Sequence, residues 1–162
     1  MSNDINTKLS IQDYLATTEL IQRSVAGLTT NQLEWKPSPD QWSVKEVVAH
    51  LVDSSLVHSV RIRKIIAESE QPLLLYNQDA WVSSSRANQG SLSDILTAFD
   101  GLLTYNALFY GRISEADWSK TGPNQGQTIS VSELFEGFIR HVRTHIAQIE
   151  RIRAQIPLTA AP

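Results

Sequence analysis

The chain has 162 residues, 41% of them hydrophobic and 19% charged, which is enough apolar side chain to bury the core of one globular domain. A formal net charge of −3 argues against nucleic acid as a partner, because such binding asks for a concentrated basic surface. With no cysteine, disulfides, thiolate ligands and a cysteine nucleophile are excluded, so a transition-metal site can draw only on His, Asp, Glu and water.

The opening Met1-Ser2-Asn3-Asp4 is polar and lacks the basic start and apolar run of a signal peptide or membrane span, which predicts a cytoplasmic protein without a membrane partner. Ser10 and Asp13 form a capping-box pair, and Ile11, Tyr14, Leu15, Thr18, Ile21 and Val25 keep helical spacing as far as Gly27. The first helix is therefore expected over 11–26. A short turn is expected around Leu28–Leu33. Pro37 and Pro39 then impose an irregular connection carrying Trp35 and Trp42.

A second capping box, Ser43 with Glu46, opens a segment free of Pro and Gly that runs to about Glu68; Val44, Val47, Val48, Leu51, Ile62, Ile65 and Ile66 supply its buried side. This second helix carries His50, Asp53 and His58. From Ser69 to Gly90 the periodicity fails, and an irregular connection packed on the core by its apolar content is expected. Ser91 and Asp94 cap a third helix to about Ile113, with one face made of Leu92, Ile95, Leu96, Phe99, Leu102, Leu103, Asn106, Phe109 and Ile113. Trp118, Gly122, Pro123 and Gly126 mark another irregular connection over 114–128. A fourth helix starts at Ser130, capped with Glu133, and is bounded by Pro157.

These patterns predict an all-α protein: one domain over 1–162, its core about 10–156, built as a four-helix bundle with long irregular connections between helices 2 and 3 and between 3 and 4. On the fourth helix Leu134, Phe138, His141, His145, Ile149 and Ile152 form one stripe, so both histidines lie among core residues while Arg140 and Arg143 face elsewhere. Arg61, Arg63 and Lys64, and the later cluster with Arg151 and Arg153, read as solvated faces or as the mouth of a pocket for an anionic substrate.

Two histidines four apart project from one helix face, so a single divalent ion can bridge them. Val142 stands where the metalloprotease pattern needs Glu, which excludes that chemistry. A buried imidazole left without a partner costs roughly 1–3 kcal/mol, so each needs an ion or a hydrogen-bonding group, and core carbonyls or hydroxyls would serve as well. A third histidine ligand could come from His50 or His58. At ~1.5 Å rise per residue these two stand roughly 12 Å apart along the axis and cannot share one mononuclear site. Periodicity does not choose between them.

The run Trp42-Ser43-Val44-Lys45-Glu46-Val47-Val48-Ala49-His50-Leu51-Val52-Asp53 resembles the helix-two signature of the DinB/YfiT-like family, a Trp-Ser cap followed by His-Leu-x-Asp. His141-Val142-Arg143-Thr144-His145-Ile146-Ala147-Gln148-Ile149 is similar to that family's helix-four signature, and Asp79-Ala80-Trp81 and Asp117-Trp118 fall in order between them. The resemblance implies a four-helix bundle, usually a homodimer, with one divalent ion per chain, nickel or zinc, held by His50, His141 and His145. His58 is then left to line the core or a pocket. Many relatives carry a further His before helix four, where this chain has Pro123-Asn124-Gln125.

Three neutral imidazoles leave coordination positions for water or substrate, as in a catalytic centre. Asp53, three residues beyond His50, is a candidate to orient an imidazole or act as a base, and Glu46 is a second candidate. Trp42, Trp81 and Trp118 read as packing residues. No Ser-His-Asp nucleophile arrangement or phosphate-cradling glycine loop is visible. The resemblance implies transfer of a low-molecular-weight thiol to a small electrophile, or metal-dependent hydrolysis. Since fold and ligands do not by themselves establish turnover, a non-catalytic, metal-stabilised bundle is the alternative.

Overall fold

Reciprocal serine–carboxylate caps fix where three of the long helices begin. Ser10 Oγ accepts the Asp13 N–H at 3.2 Å while Asp13 accepts the Ser10 N–H at 2.7 Å, opening α1, Ile11–Val25. The same exchange joins Ser43 and Glu46, at 3.1 and 2.9 Å, ahead of a helix spanning Val44–Glu68. Ser130 and Glu133 repeat it at 3.1 and 2.7 Å ahead of another spanning Val131–Gln155. Ser91 caps only one way, accepting the Asp94 N–H at 3.3 Å, before the helix Leu92–Tyr110. The computed structural model describes residues 9–68 and 70–157; the polar opening Met1–Asp4 and Ser69, the first residue of the connection expected to be irregular, lie outside the described residues.

The connections hold more structure than the sequence predicts. In chain order they add α2, Thr30–Glu34, and, after the long α3 at Val44–Glu68, a further helix α4 at Gln78–Ser85 followed by a single 3-10 turn at Ala87–Gln89. The next long helix, Leu92–Tyr110, is α5. Beyond it come α6, Glu115–Trp118, and a hairpin of β1, Thr121–Asn124, with β2, Gln127–Ser130, leading into α7 at Val131–Gln155. The α4 segment lacks a serine-type cap signal, but the Asn77 side-chain oxygen accepts the Ala80 N–H at 3.0 Å and does the same work. In the hairpin, Gln125 and Gly126 both take positive φ, 51° and 81°, the signature of a two-residue turn of type I′. Pro123 pairs with Thr128, one step in from the closing Asn124–Gln127 pair. That is a non-hydrogen-bonded position, so its missing N–H breaks no ladder bond.

Packing decides the order of the long helices. Both α1 and α3 pack on α5 and α7, which places the four in the ring order α1, α5, α3, α7 and puts α1 across the diagonal from α3. The centre is filled by Leu51, Ile62, Ile65, Phe99, Leu103, Phe138, Ile139 and Ile149, all fully buried. Tyr14 stacks near Phe135, Phe138 and Tyr110 at one end. The 70–90 connection packs only in part: Leu73 and Val82 are buried, whereas Leu74, Leu75 and Trp81 are exposed.

Lys45 is buried in the first turn of α3, and its Nζ lies 2.6 Å from a Glu34 carboxylate oxygen and 2.9 Å from the Gly90 carbonyl. One ammonium thus fastens α2 and the end of the α4 connection to the start of the helix that bears His50. Lys45→Met leaves Glu34 and the Gly90 carbonyl without that donor, and the expected loss is about 1.5–3 kcal/mol in denaturant unfolding. A loss below about 0.5 kcal/mol would show the tether to be ornamental.

Candidate metal centre

The Ser43–Glu46 cap phases α3 so that His50 turns inward, and the α7 stripe brings His141 and His145 to meet it at the α3–α7 contact. Each of the three offers a ring nitrogen within 4.8 Å of the others. His50 Nε2 stands 3.1 Å from His141 Nε2. The ring centroids are 5.2 Å apart for His50 and His141, 4.7 Å for His50 and His145, and 4.4 Å for His141 and His145. Two nitrogens each about 2.0–2.1 Å from a tetrahedral zinc-type ion are about 3.3 Å apart, so the His50–His141 spacing fits a shared ion.

Among the described residues the cluster contains no carboxylate. His50 is 1% exposed, and its Nδ1 has no hydrogen-bond partner among the described residues, so the ring is oriented by its Nε2 contact with His141 and by packing against the Trp42 indole, 4.9 Å away by ring centroids. Trp42 also lies over His145, at 6.2 Å and nearly parallel. His145 is held differently: its Nδ1 is 2.7 Å from Gln148 Oε1. His58 stands outside the cluster. Its Nδ1 donates to the Ser54 carbonyl at 2.8 Å, and its ring packs on Phe138. The structure thus brings His50, and not His58, together with His141 and His145.

Burial and mutual repulsion keep these rings neutral. Burial first, and then the His145 and His58 rings, push His50 down to about 4 from the usual 6.5. His141 falls to about 3, again mainly by burial and then through His145, His50 and His58. Burial lowers His145 too, against the opposing bond to Gln148. All three therefore carry lone pairs at neutral pH, the state a cation needs.

The two carboxylate candidates are placed elsewhere. Glu46 is taken up by its cap to Ser43 and by an ion pair with Lys36 at 2.9 Å. Asp53 is half-buried, its pKa raised by burial alone, and it lines a separate hollow with Ala49, Val52 and Arg86. Beside the cluster lies an open cavity of about 430 Å³ lined by Asp40, Trp42, Asp79, His145, Gln148 and Arg151.

The DinB superfamily profile matches residues 13–149. The chain belongs to the DinB superfamily. Among relatives, a protein of Bacillus licheniformis provisionally named a metal-dependent hydrolase is 24% identical over 148 residues, covering 90% of this chain and 84% of its own. A Geobacillus thermodenitrificans protein of the same provisional name is 25% identical over 137 residues, covering 83% and 77%. Among solved structures, YfiT of Bacillus subtilis, a probable metal-dependent hydrolase with an unusual four-helix bundle topology, superposes with a TM-score of 0.82 at 18% identity, covering 94% of this chain and 90% of YfiT. A mycothiol-dependent maleylpyruvate isomerase matches at a TM-score of 0.68 and 14% identity over 87% of this chain and 61% of that one.

This DinB bundle adds two residues at the centre that the sequence reading did not assign to it. Trp42, taken as packing, covers two of the three imidazoles. Gln148 bonds to His145, and its spacing of three on one helix was the available signal. The depressed pKa values fix the sign of a pH effect. Because the folded values of His50 and His141 lie below 6.5, the unfolded chain binds more protons between about pH 3 and 6.5, so stability falls as pH drops through that window and is level above it. Chelator-treated protein should unfold at lower denaturant at about pH 5 than at about pH 7.5, and His141→Gln should flatten the difference. Equal midpoints at both pH values would contradict the buried, neutral assignment.

Proposed function

We propose that this DinB protein is a metal-dependent enzyme that transfers a low-molecular-weight thiol to a small electrophile, with His50, His141 and His145 holding one divalent ion, nickel or zinc. The observation that carries this is a cluster of three neutral imidazoles, joined by no carboxylate among the described residues, of which His145 lines an open cavity. Neutral ligands leave the charge of an ion undiminished. When bound, such an ion lowers the pKa of a thiol or water toward neutrality.

The chain's own residues supply the rest. Trp42 covers His50 and His145 on one side and keeps water from that face of the rings. Asp40, Asp79 and Arg151 put both signs of charge at the cavity wall, which suits a polar small molecule. The fold shared with a mycothiol-dependent isomerase supports a thiol as the nucleophile. The provisional hydrolase names of the sequence relatives favour hydrolysis as the second reading.

Untagged protein should carry about one divalent ion per chain. By elemental analysis His50→Ala should lose it, while His58→Ala and Asp53→Asn keep it; the reverse pattern at 50 and 58 would refute the ligand set. In a panel of thiols with electrophilic acceptors, thiol consumption should appear with the loaded protein and vanish after chelation. Metal-dependent ester or amide cleavage without thiol consumption would replace transfer with hydrolysis, and no metal-dependent rate at all would leave an inert bundle.

A homodimer forms part of the same proposal. Leu56 and Val60 on α3 and Tyr105 and Leu108 on α5 are exposed apolar side chains of the kind that a subunit contact covers. Light scattering should give twice the chain mass, and Leu56→Glu with Leu108→Glu should halve it; a monomeric wild type would end this part of the reading.

A further inference from the structure

The outer nitrogens of the clustered imidazoles are treated unequally. Among the described residues His50 Nδ1 is buried without a partner, and the hydrogen bond of His141 is to His50 itself. Of the three, among the described residues, only His145 has a non-histidine hydrogen-bond partner at a ring nitrogen, the Gln148 amide oxygen 2.7 Å from Nδ1. An amide oxygen only accepts, so the nitrogen facing it carries the proton and the lone pair is left on Nε2.

We propose that Gln148 is a positioning residue that locks His145 as the Nδ1–H tautomer and so presents Nε2 to the ion. The tautomer stands on the hydrogen bond alone; its consequence for metal rests on the three-histidine reading above. The lock is local to α7, because residues three apart on a helix are neighbours one turn up the same face. It forms as the helix forms, with no contribution needed from another element. It is also a neutral acceptor. A carboxylate in its place would push more electron density through the imidazole onto the ion, so glutamine fixes the ring while leaving the ion more electron-poor. And it is reachable, since Gln148 lines the cavity beside the cluster with Asp79 and Arg151.

The test uses full-length chain, wild type and the variants Gln148→Leu and Gln148→Glu, with folding checked by circular dichroism. In metal-free protein labelled with nitrogen-15 at histidine, with the His145 signals assigned against His145→Gln, the wild type should show the proton on Nδ1. Gln148→Leu should shift the ring toward Nε2–H and weaken cobalt or zinc binding, measured by competition with a chromophoric chelator, by about 10–100-fold. Gln148→Glu should restore the Nδ1–H tautomer and bind metal at least as tightly as the wild type. The proposal is overturned if wild-type His145 carries its proton on Nε2, or if Gln148→Leu changes neither tautomer nor affinity. A wild type that shows the Nδ1–H form, loses it in Gln148→Leu and binds no divalent ion supports the lock and refutes the metal reading instead.

Discussion

Everything at this centre depends on where α3 meets α7, because that contact buries His50 against two histidines of the neighbouring helix. A fully buried imidazole with an unpartnered nitrogen is unfavourable by roughly 1–3 kcal/mol, and a core built for stability alone would place an aliphatic residue there. The helix pair tolerates it because the surrounding core is dense: Leu51, Phe138, Ile139 and Ile149 are fully buried on the same two helices. The candidate metal centre thus lies at a seam of buried side chains, where ring positions are held by neighbours.

Around that seam the fold supplies support from three directions. Ser43 and Glu46 fix the start of α3, and buried Lys45 ties that start to α2 and to the end of the α4 connection. Trp42, the residue before the cap, is thereby held over His50 and His145. The N-terminal turn of α3 therefore does double service, since the residues that begin the helix also wall the centre it carries. Membership of the DinB superfamily and the fold shared with YfiT agree with the four-helix architecture. No described helix is long and apolar enough to cross a membrane.

The electrostatics follow from burial more than from pairing. Among the described residues no carboxylate joins the three imidazoles, and Glu46 and Asp53, which sequence proximity offers as partners, are turned to a cap and to a separate hollow. Low pKa values here arise because burial and neighbouring imidazoles both disfavour the charged ring. Rings in that state suit a cation and resist protonation.

The sequence by itself determined the four long helices, because capping pairs and a 3.6-residue apolar period are local signals, and it determined for the same reason that His141 and His145 share a face, which the fold leaves half-buried. It also held the family resemblance through which His50 was chosen. Short elements escaped it: α4 is capped by Asn77, outside a serine pattern, and the hairpin around Gln125–Gly126 puts Pro123 at the one kind of strand position where proline does no harm. Only the tertiary structure decided which histidine of α3 comes within reach of both His141 and His145, since both lie on plausible faces of one helix and the outcome depends on the axial register between two helices far apart in sequence. The same holds for Trp42, Lys45 and Asp53, whose roles depend on what the folded chain brings opposite them.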